Sequence, residues 1–390
     1  MPDNRRCLCL IGELIAITFM LIGCGGSASS GGSGSVPPPT GSKYIAVADA
    51  INHRVLLYSG PITSGQAANI VLGQADFNSS TSATSATGLF DPTKIVADSS
   101  GNLWVADCGN NRVVEYKTPF SSGMAASIVL GQPDMNTNTW LVPPTATSLG
   151  CPAGLAFDSQ GNLWVSDLDN SRITKFTAPF TSGMAATVAL GQIDLNSSNC
   201  VSVSSCIAPL GLAFDNKGNL FVADWINCRI IEYQSPFVTG MAVSLVIGAP
   251  DLSTRNCGTS ASTMMSPFGL AFDSAGNFWA ADSSNNRVLQ FKAPFTTGMS
   301  ASLVLGQSSF SSNGSGAGAA GLAGPSDVSF DKNGNLYVTD AGNNRTVMFS
   351  APFSNHMSAT IVLGEPDMNT IGGGTSATTQ FNPNGVAAIQ

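Results

Sequence analysis

Charge is what this sequence has least of. Asp, Glu, Lys and Arg make up 10% of its 390 residues, against about 25% in an average soluble domain. Glu occurs four times, His twice, Lys seven times and Arg nine. So few charged helix formers argue against an all-helical or coiled-coil protein. With a net charge of -8 there is no basic field, and no nucleic-acid partner is expected. The sequence also lacks a phosphate-binding loop, a Gly-x-Ser-x-Gly elbow and any Ser/His/Asp arrangement. What it has in quantity is glycine, at 42 residues, together with a 43% hydrophobic fraction that includes 20 Phe. That is enough apolar surface for a substantial core, which excludes wholesale disorder.

The N-terminus carries Arg5 and Arg6, then an apolar run from Cys7 to Gly23, then Cys24 and a Gly/Ser/Pro tract ending at Ser42. Two cations before a short apolar stretch describe a secretory signal. The run is 17 residues long and is interrupted by Glu13, whereas a membrane-spanning helix needs about 20 apolar residues. Leu21-Ile22-Gly23-Cys24 resembles the lipobox of bacterial lipoproteins, which implies cleavage before Cys24 and lipid attachment to it. An ordinary signal peptide or an uncleaved anchor are the other readings. The expected organisation is a signal peptide over 1–23, lipidated Cys24 with a tether over 24–42, and a folded domain over 43–390. This places the protein in a bacterial cell envelope, on the periplasmic or cell-surface side, held to the membrane by lipid. The tract after Cys24 cannot build a core; it is a spacer, stiffer at Pro37-Pro38-Pro39.

From Lys43 onward the chain is periodic. A phrase like Asn-Leu-Trp-Val-Ala-Asp recurs six times, ending at Asp49, Asp107, Asp167, Asp224, Asp282 and Asp340, at spacings of 58, 60, 57, 58 and 58. Within the second unit, turn chemistry and alternation predict strands over Lys94–Asp98, Leu103–Asp107, Arg112–Tyr116 and Ala126–Leu130. Asp opens the first turn, and Gly near its end suits left-handed backbone. Four short antiparallel strands per unit make a propeller blade, and six make a ring. The pattern Pro-x-Gly-Leu-Ala-Phe-Asp-x-x-Gly-Asn-Leu-Trp-Val-x-Asp-x-x-Asn-x-Arg-Ile resembles the NHL repeat. The resemblance implies an all-β, six-bladed β-propeller of four-stranded blades. The first unit lacks its leading strand, and Phe381–Gln390 matches it, so the C-terminal strand is expected to complete the first blade beside Tyr44–Ala48 and remove the open edge.

Repetition separates scaffold from site. A residue present in every blade is explained most simply by what every blade needs. The pairs Asp49/Arg54, Asp107/Arg112, Asp167/Arg172, Asp224/Arg229, Asp282/Arg287 and Asp340/Arg345 are expected to clamp hairpins; the other reading is a cationic ring for an anion. The Phe of each Pro-Phe step and the Met four residues on, such as Phe120 and Met124, are expected to pack between blades. The Gly of Leu-Gly-Gln is expected to permit a turn. The second hairpin of each blade and the long connection to the next blade share one face, here termed the loop face, where propellers bind ligands. Blade-specific residues on that face are the binding candidates: Lys94, Asp327, Trp140, Trp225 and Arg255, with Asp169 and His53. Lys94 and Asp327 stand where other blades have Gly154, Gly211, Gly269 and Gly385, and are expected to converge at the channel mouth without forming a tight pair.

Six Cys fall in the propeller, a number that suggests disulfides in an exported domain although 15 pairings exist. Topology favours Cys108 with Cys151, Cys228 with Cys257, and Cys200 with Cys206. Some relatives and look-alikes of NHL propellers are enzymes, including lyases that hold zinc with several His and calcium-dependent lactonases. Here His53 and His356 fall on opposite faces, so a shared zinc is not expected. The expected function is a membrane-tethered binding or structural module for an extracytoplasmic protein or glycan, without a cofactor. The alternative is a calcium-dependent hydrolase or lyase at the central channel, with Asp327 as a ligand. RNA-binding NHL domains use a basic face, which this chain lacks.

Overall fold

In the computed structural model, residues 43–389 are described except 201 and 203–205. The expected signal peptide, Cys24 and the expected tether lie outside the described residues. The described chain folds into six antiparallel sheets of four strands. The second blade comprises β4 (Pro92–Ala97), β5 (Leu103–Asp107), β6 (Arg112–Tyr116) and β7 (Ile128–Leu130). The third to sixth repeat this order and begin with β8 (Pro152–Phe157), β12 (Pro209–Phe214), β16 (Pro267–Phe272) and β20 (Pro325–Phe330). These first strands contact one another in sequence around the axis. The outermost strands are only three residues long, short edges of the kind that resist pairing with other chains.

The first blade is assembled from both ends of the domain. β1 (Tyr44–Asp49), β2 (Arg54–Ser59) and β3 (Ile70–Leu72) lie in order, and β24 (Pro383–Ile389) supplies the inner strand. The register sets Tyr44 opposite Ile389, Val47 opposite Val386 and Ala48 opposite Gly385, as the repeat spacing requires. Ring closure is therefore a ladder of backbone hydrogen bonds between residues more than three hundred apart in sequence.

The core lies between the blades. Trp104 of the second blade meets Phe180 of the third at 4.7 Å between ring centroids, and Trp164 and Phe237 repeat the contact at 4.7 Å one blade on. Met184 packs against the first of these clusters and Met241 against the second. The glycines at the Leu-Gly-Gln position, including Gly248 of Ile-Gly-Ala, all take positive φ, from 82° at Gly191 to 95° at Gly248, the left-handed region that favours Gly.

Each Asp/Arg pair is fully buried. In the second blade Arg112 Nε donates to Asp107 Oδ2 at 2.7 Å, and Asn110 donates to the same oxygen at 2.8 Å. Asp107 Oδ1 accepts the Phe90 N–H at 2.7 Å. The remaining guanidinium nitrogens donate to the carbonyls of Met135, Ser85 and Gly88. One Arg thus ties its hairpin to the connection before its blade and the connection after it, and a buried charge is tolerable because its donors are met. In the first blade Arg54 donates to Ser376 and Thr379 carbonyls, and Asp49 accepts the Phe381 N–H. The clamp there fastens the C-terminal segment. With their donors bound to the protein, the guanidinium groups do not form an anion ring.

Candidate functional site

Alternation puts the residues flanking the first Pro of each inner strand at the channel mouth on the loop face. These positions differ from blade to blade, although the strands around them repeat. After the Pro stand Thr93, Ala153, Leu210, Phe268, Ser326 and Asn384; before it stand Asp91, Cys151, Ala208, Ser266, Gly324 and Asn382. Together with Trp225 and serines from neighbouring hairpins, most of them line a cavity of about 290 Å³. Its wall is divided. Blades three to five contribute Ala153, Leu210, Phe268 and Trp225, the last two edge to face at 6.1 Å, with Ser266, Ser283 and Ser284 of blade five beside them. Blades six, one and two contribute Ser326, Asp327, Asn382, Asn384, Asp91, Thr93 and Lys94.

Two of the polar groups are structural stitches. Ser326 Oγ donates to the Pro383 carbonyl at 2.8 Å and Thr93 Oγ1 to the Pro152 carbonyl at 3.0 Å, each tying one inner strand to the next. Lys94 and Asp327 also satisfy each other. Lys94 Nζ lies 2.7 and 2.6 Å from the two Asp327 oxygens, and Asp327 Oδ2 accepts the Val386 N–H at 2.9 Å. This corrects the expectation of convergence without a tight pair: the second and sixth blades both flank the first, and Gly385 between them carries no side chain. Burial pushes the Asp327 carboxyl upward and Lys94 opposes it. The carboxylate that a calcium site would need is already held by an ammonium and a backbone N–H.

The glycines replaced by Lys94 and Asp327 have a steric cause. A Cβ on Gly154 would lie 1.8 Å from the Leu210 carbonyl oxygen, and one on Gly211 would lie 2.2 Å from that of Phe268. The inner strands approach too closely there for any side chain.

The remaining candidates separate. Trp225 forms part of the cavity wall. Trp140 lies on the rim, 38% exposed, beside Leu141 and Val142 at 40% and 59%. Its indole covers Gly150, where a Cβ would come within 2.7 Å of Nε1. Arg255 is exposed on the connection between the fourth and fifth blades and does not line the cavity. Asp169 stands in the third blade's hairpin, its N–H donating to the Gly150 carbonyl at 3.0 Å, and burial pushes its carboxyl up to about 6. His53 Nδ1 accepts the Asp91 N–H at 3.2 Å, outside the cavity lining. Disulfides join Cys108 to Cys151, Cys228 to Cys257 and Cys200 to Cys206. Two of them fasten a second hairpin to the connection that follows it, which points to an oxidising, extracytoplasmic compartment. Among the described residues no helix is long and apolar enough to cross a membrane, and no group of three His, Cys, Asp or Glu is placed to hold a metal.

Sequence reasoning missed Asp91, Asn382 and Asn384. Their signal was available: within a repeat, the positions that vary while their neighbours do not are those the scaffold leaves free.

The NHL repeat family matches residues 91–116, 149–176 and 322–345, parts of the second, third and sixth blades, and the same motif recurs in the others. The protein is a six-bladed β-propeller, with NHL repeats matched in its second, third and sixth blades. No curated protein matches it. Among solved structures, a protein of unknown function from Bacteroides caccae is 9% identical, with a TM-score of 0.53 over 90% of this chain and 99% of that one. A chain of a nidogen/laminin complex is 15% identical, with a TM-score of 0.52 over 88% and 97%. A streptogramin B lyase is 14% identical, with a TM-score of 0.44 over 84% and 85%. At these identities the likeness concerns the fold alone.

Proposed function

We propose that this propeller is an extracytoplasmic binding module, tethered to a membrane through lipid on Cys24, that captures a protein ligand on its loop face. The observation that carries the reading is Trp140-Leu141-Val142. Three consecutive large apolar side chains stand exposed on a long connection beside the channel mouth, where a water-soluble domain gains nothing from them unless a partner covers them. The bridge between Cys108 and Cys151 fixes the base of that connection, so the rim meets a partner with little ordering left to do. A propeller also occurs in the nidogen/laminin complex, a protein assembly.

The test is cross-linking on intact cells expressing the wild-type chain or the double variant Trp140→Ala with Leu141→Ser, read by mass spectrometry, beside a glycan array. A protein cross-linked to the wild type and absent from the variant supports the reading. A glycan that binds in its place, or equal cross-linking by both chains, overturns it. Mass analysis of the mature N-terminus should find lipid on Cys24; a free N-terminus elsewhere removes the tether.

A further inference from the structure

We infer that the cavity at the channel mouth is a binding site for a small amphipathic cation, a protonated amine carried on an aromatic or aliphatic body. This site is separate from the macromolecular rim at Trp140 and stands whether or not that rim captures a protein.

The inference begins with charge. Three charged groups line the cavity: Asp91, Lys94 and Asp327. Lys94 and Asp327 neutralise each other through two short hydrogen bonds. Asp91 is left. Among the described residues, the Asp91 backbone N–H has a partner in His53, but the carboxylate has neither a hydrogen bond nor an ion pair. Burial, reinforced by the Asp107 carboxylate behind it, pushes Asp91 up to about 6, the condition of an anion short of a counter-charge. The cavity therefore carries one uncompensated negative charge on a half-buried wall, and an ammonium is the complement to it.

Shape and polarity define the rest of the ligand. The volume, about 290 Å³, stands just below the range of roughly 300–1,000 Å³ seen for small-molecule sites, which sets a small ligand. Across from Asp91, Leu210, Phe268 and Trp225 form an apolar wall. A ligand lying across the mouth would place its cation on blade two and its apolar body on blades four and five. The scaffold does not require this division, because the same positions hold small, polar or aromatic residues in different blades of one ring. Asn382 and Asn384 line the polar half, and their side-chain amides have no partner among the described residues, leaving them free for a hydroxyl or carbonyl on the ligand.

The test is isothermal titration of the full chain with three probes of one shape: phenethylamine, phenethyl alcohol and phenylacetate. The expected order is amine, then alcohol, then carboxylate, with the amine ahead of the alcohol by about tenfold, as one charge-assisted hydrogen bond provides. Asp91→Asn should abolish that advantage. Asn tolerates the positive φ of 53° at this position, and an unchanged melting temperature verifies the fold. Trp225→Ala should weaken amine and alcohol alike, and Trp140→Ala should change neither. Binding of phenylacetate as tight as that of the amine, absence of binding by every probe, or an amine advantage that survives Asp91→Asn overturns the inference.

Discussion

Lys94 of the second blade and Asp327 of the sixth, 233 residues apart in sequence, form a two-pronged ion pair above Gly385 of the first. Each of these residues stands where four blades have glycine. Removing one partner leaves a buried charge uncompensated, at a typical cost of about 3–5 kcal/mol, whereas removing both restores the residue that the other blades use. Lys94→Gly and Asp327→Gly should each lower the midpoint of denaturant unfolding strongly, and the double variant should recover most of the loss. Additive single effects would show that the two groups do not depend on each other.

Glu365 interrupts a second regularity. At the equivalent position Gln74, Gln132, Gln192 and Gln307 each donate Nε2 to two backbone carbonyls, as Gln74 does to His53 and Thr81 at 3.0 and 2.9 Å. An ionised Glu cannot donate, and Glu365 Oε1 is buried without a partner. Burial raises its pKa from 4.5 to about 7, with Arg345 opposing and Asp367 adding. Since the folded pKa is the higher, the unfolded chain loses this proton first. The stability held below pH 4.5 is thus lost as pH rises through about 7. Glu365→Gln should raise the melting temperature at pH 8 and change it little at pH 4.5. Equal effects at both values would exclude the titration of Glu365 as the cause.

Deleting Pro383–Gln390 should open the ring. The loss removes β24 with buried Val386 and Ile389, exposes the edge of β1, and takes away the Val386 N–H that Asp327 accepts. Large buried side chains cost about 2–5 kcal/mol each. The truncated chain should unfold at much lower temperature and yield to limited proteolysis at the first blade; an unchanged melting temperature would place closure elsewhere.

The three disulfides should respond to reductant in order of exposure. Cys108 and Cys151 are buried at 4% and 5%, whereas Cys200 is exposed. Stepwise reduction with alkylation and peptide mapping should label Cys200 and Cys206 first and Cys108 and Cys151 last. The bridge between Cys108 and Cys151 also spans 43 residues against six for Cys200–Cys206, so its removal should cost more, by about 1–2 kcal/mol on loop entropy. The reverse order of labelling would contradict the burial of the first bridge.

The sequence by itself determined the number of blades, the four strands in each, the turn glycines, the Asp/Arg clamps and the completion of the first blade by the C-terminal strand. All of these follow from local rules repeated six times, so each copy checks the others. The disulfide pairs were legible for the same reason, because topology placed hairpin and connection on one face. Tertiary structure alone decided what depends on the closed ring. That Lys94 reaches Asp327 follows from the close approach of inner strands across Gly385, a distance no repeat encodes. That Trp225 faces the cavity while Trp140 covers Gly150 on the rim depends on how a hairpin and a long connection pack, although both are aromatics on the same face. Asp91 acquires its meaning only by elimination: among the described residues its carboxylate has no partner, and the ring brings Lys94, three residues on, to another blade's carboxylate.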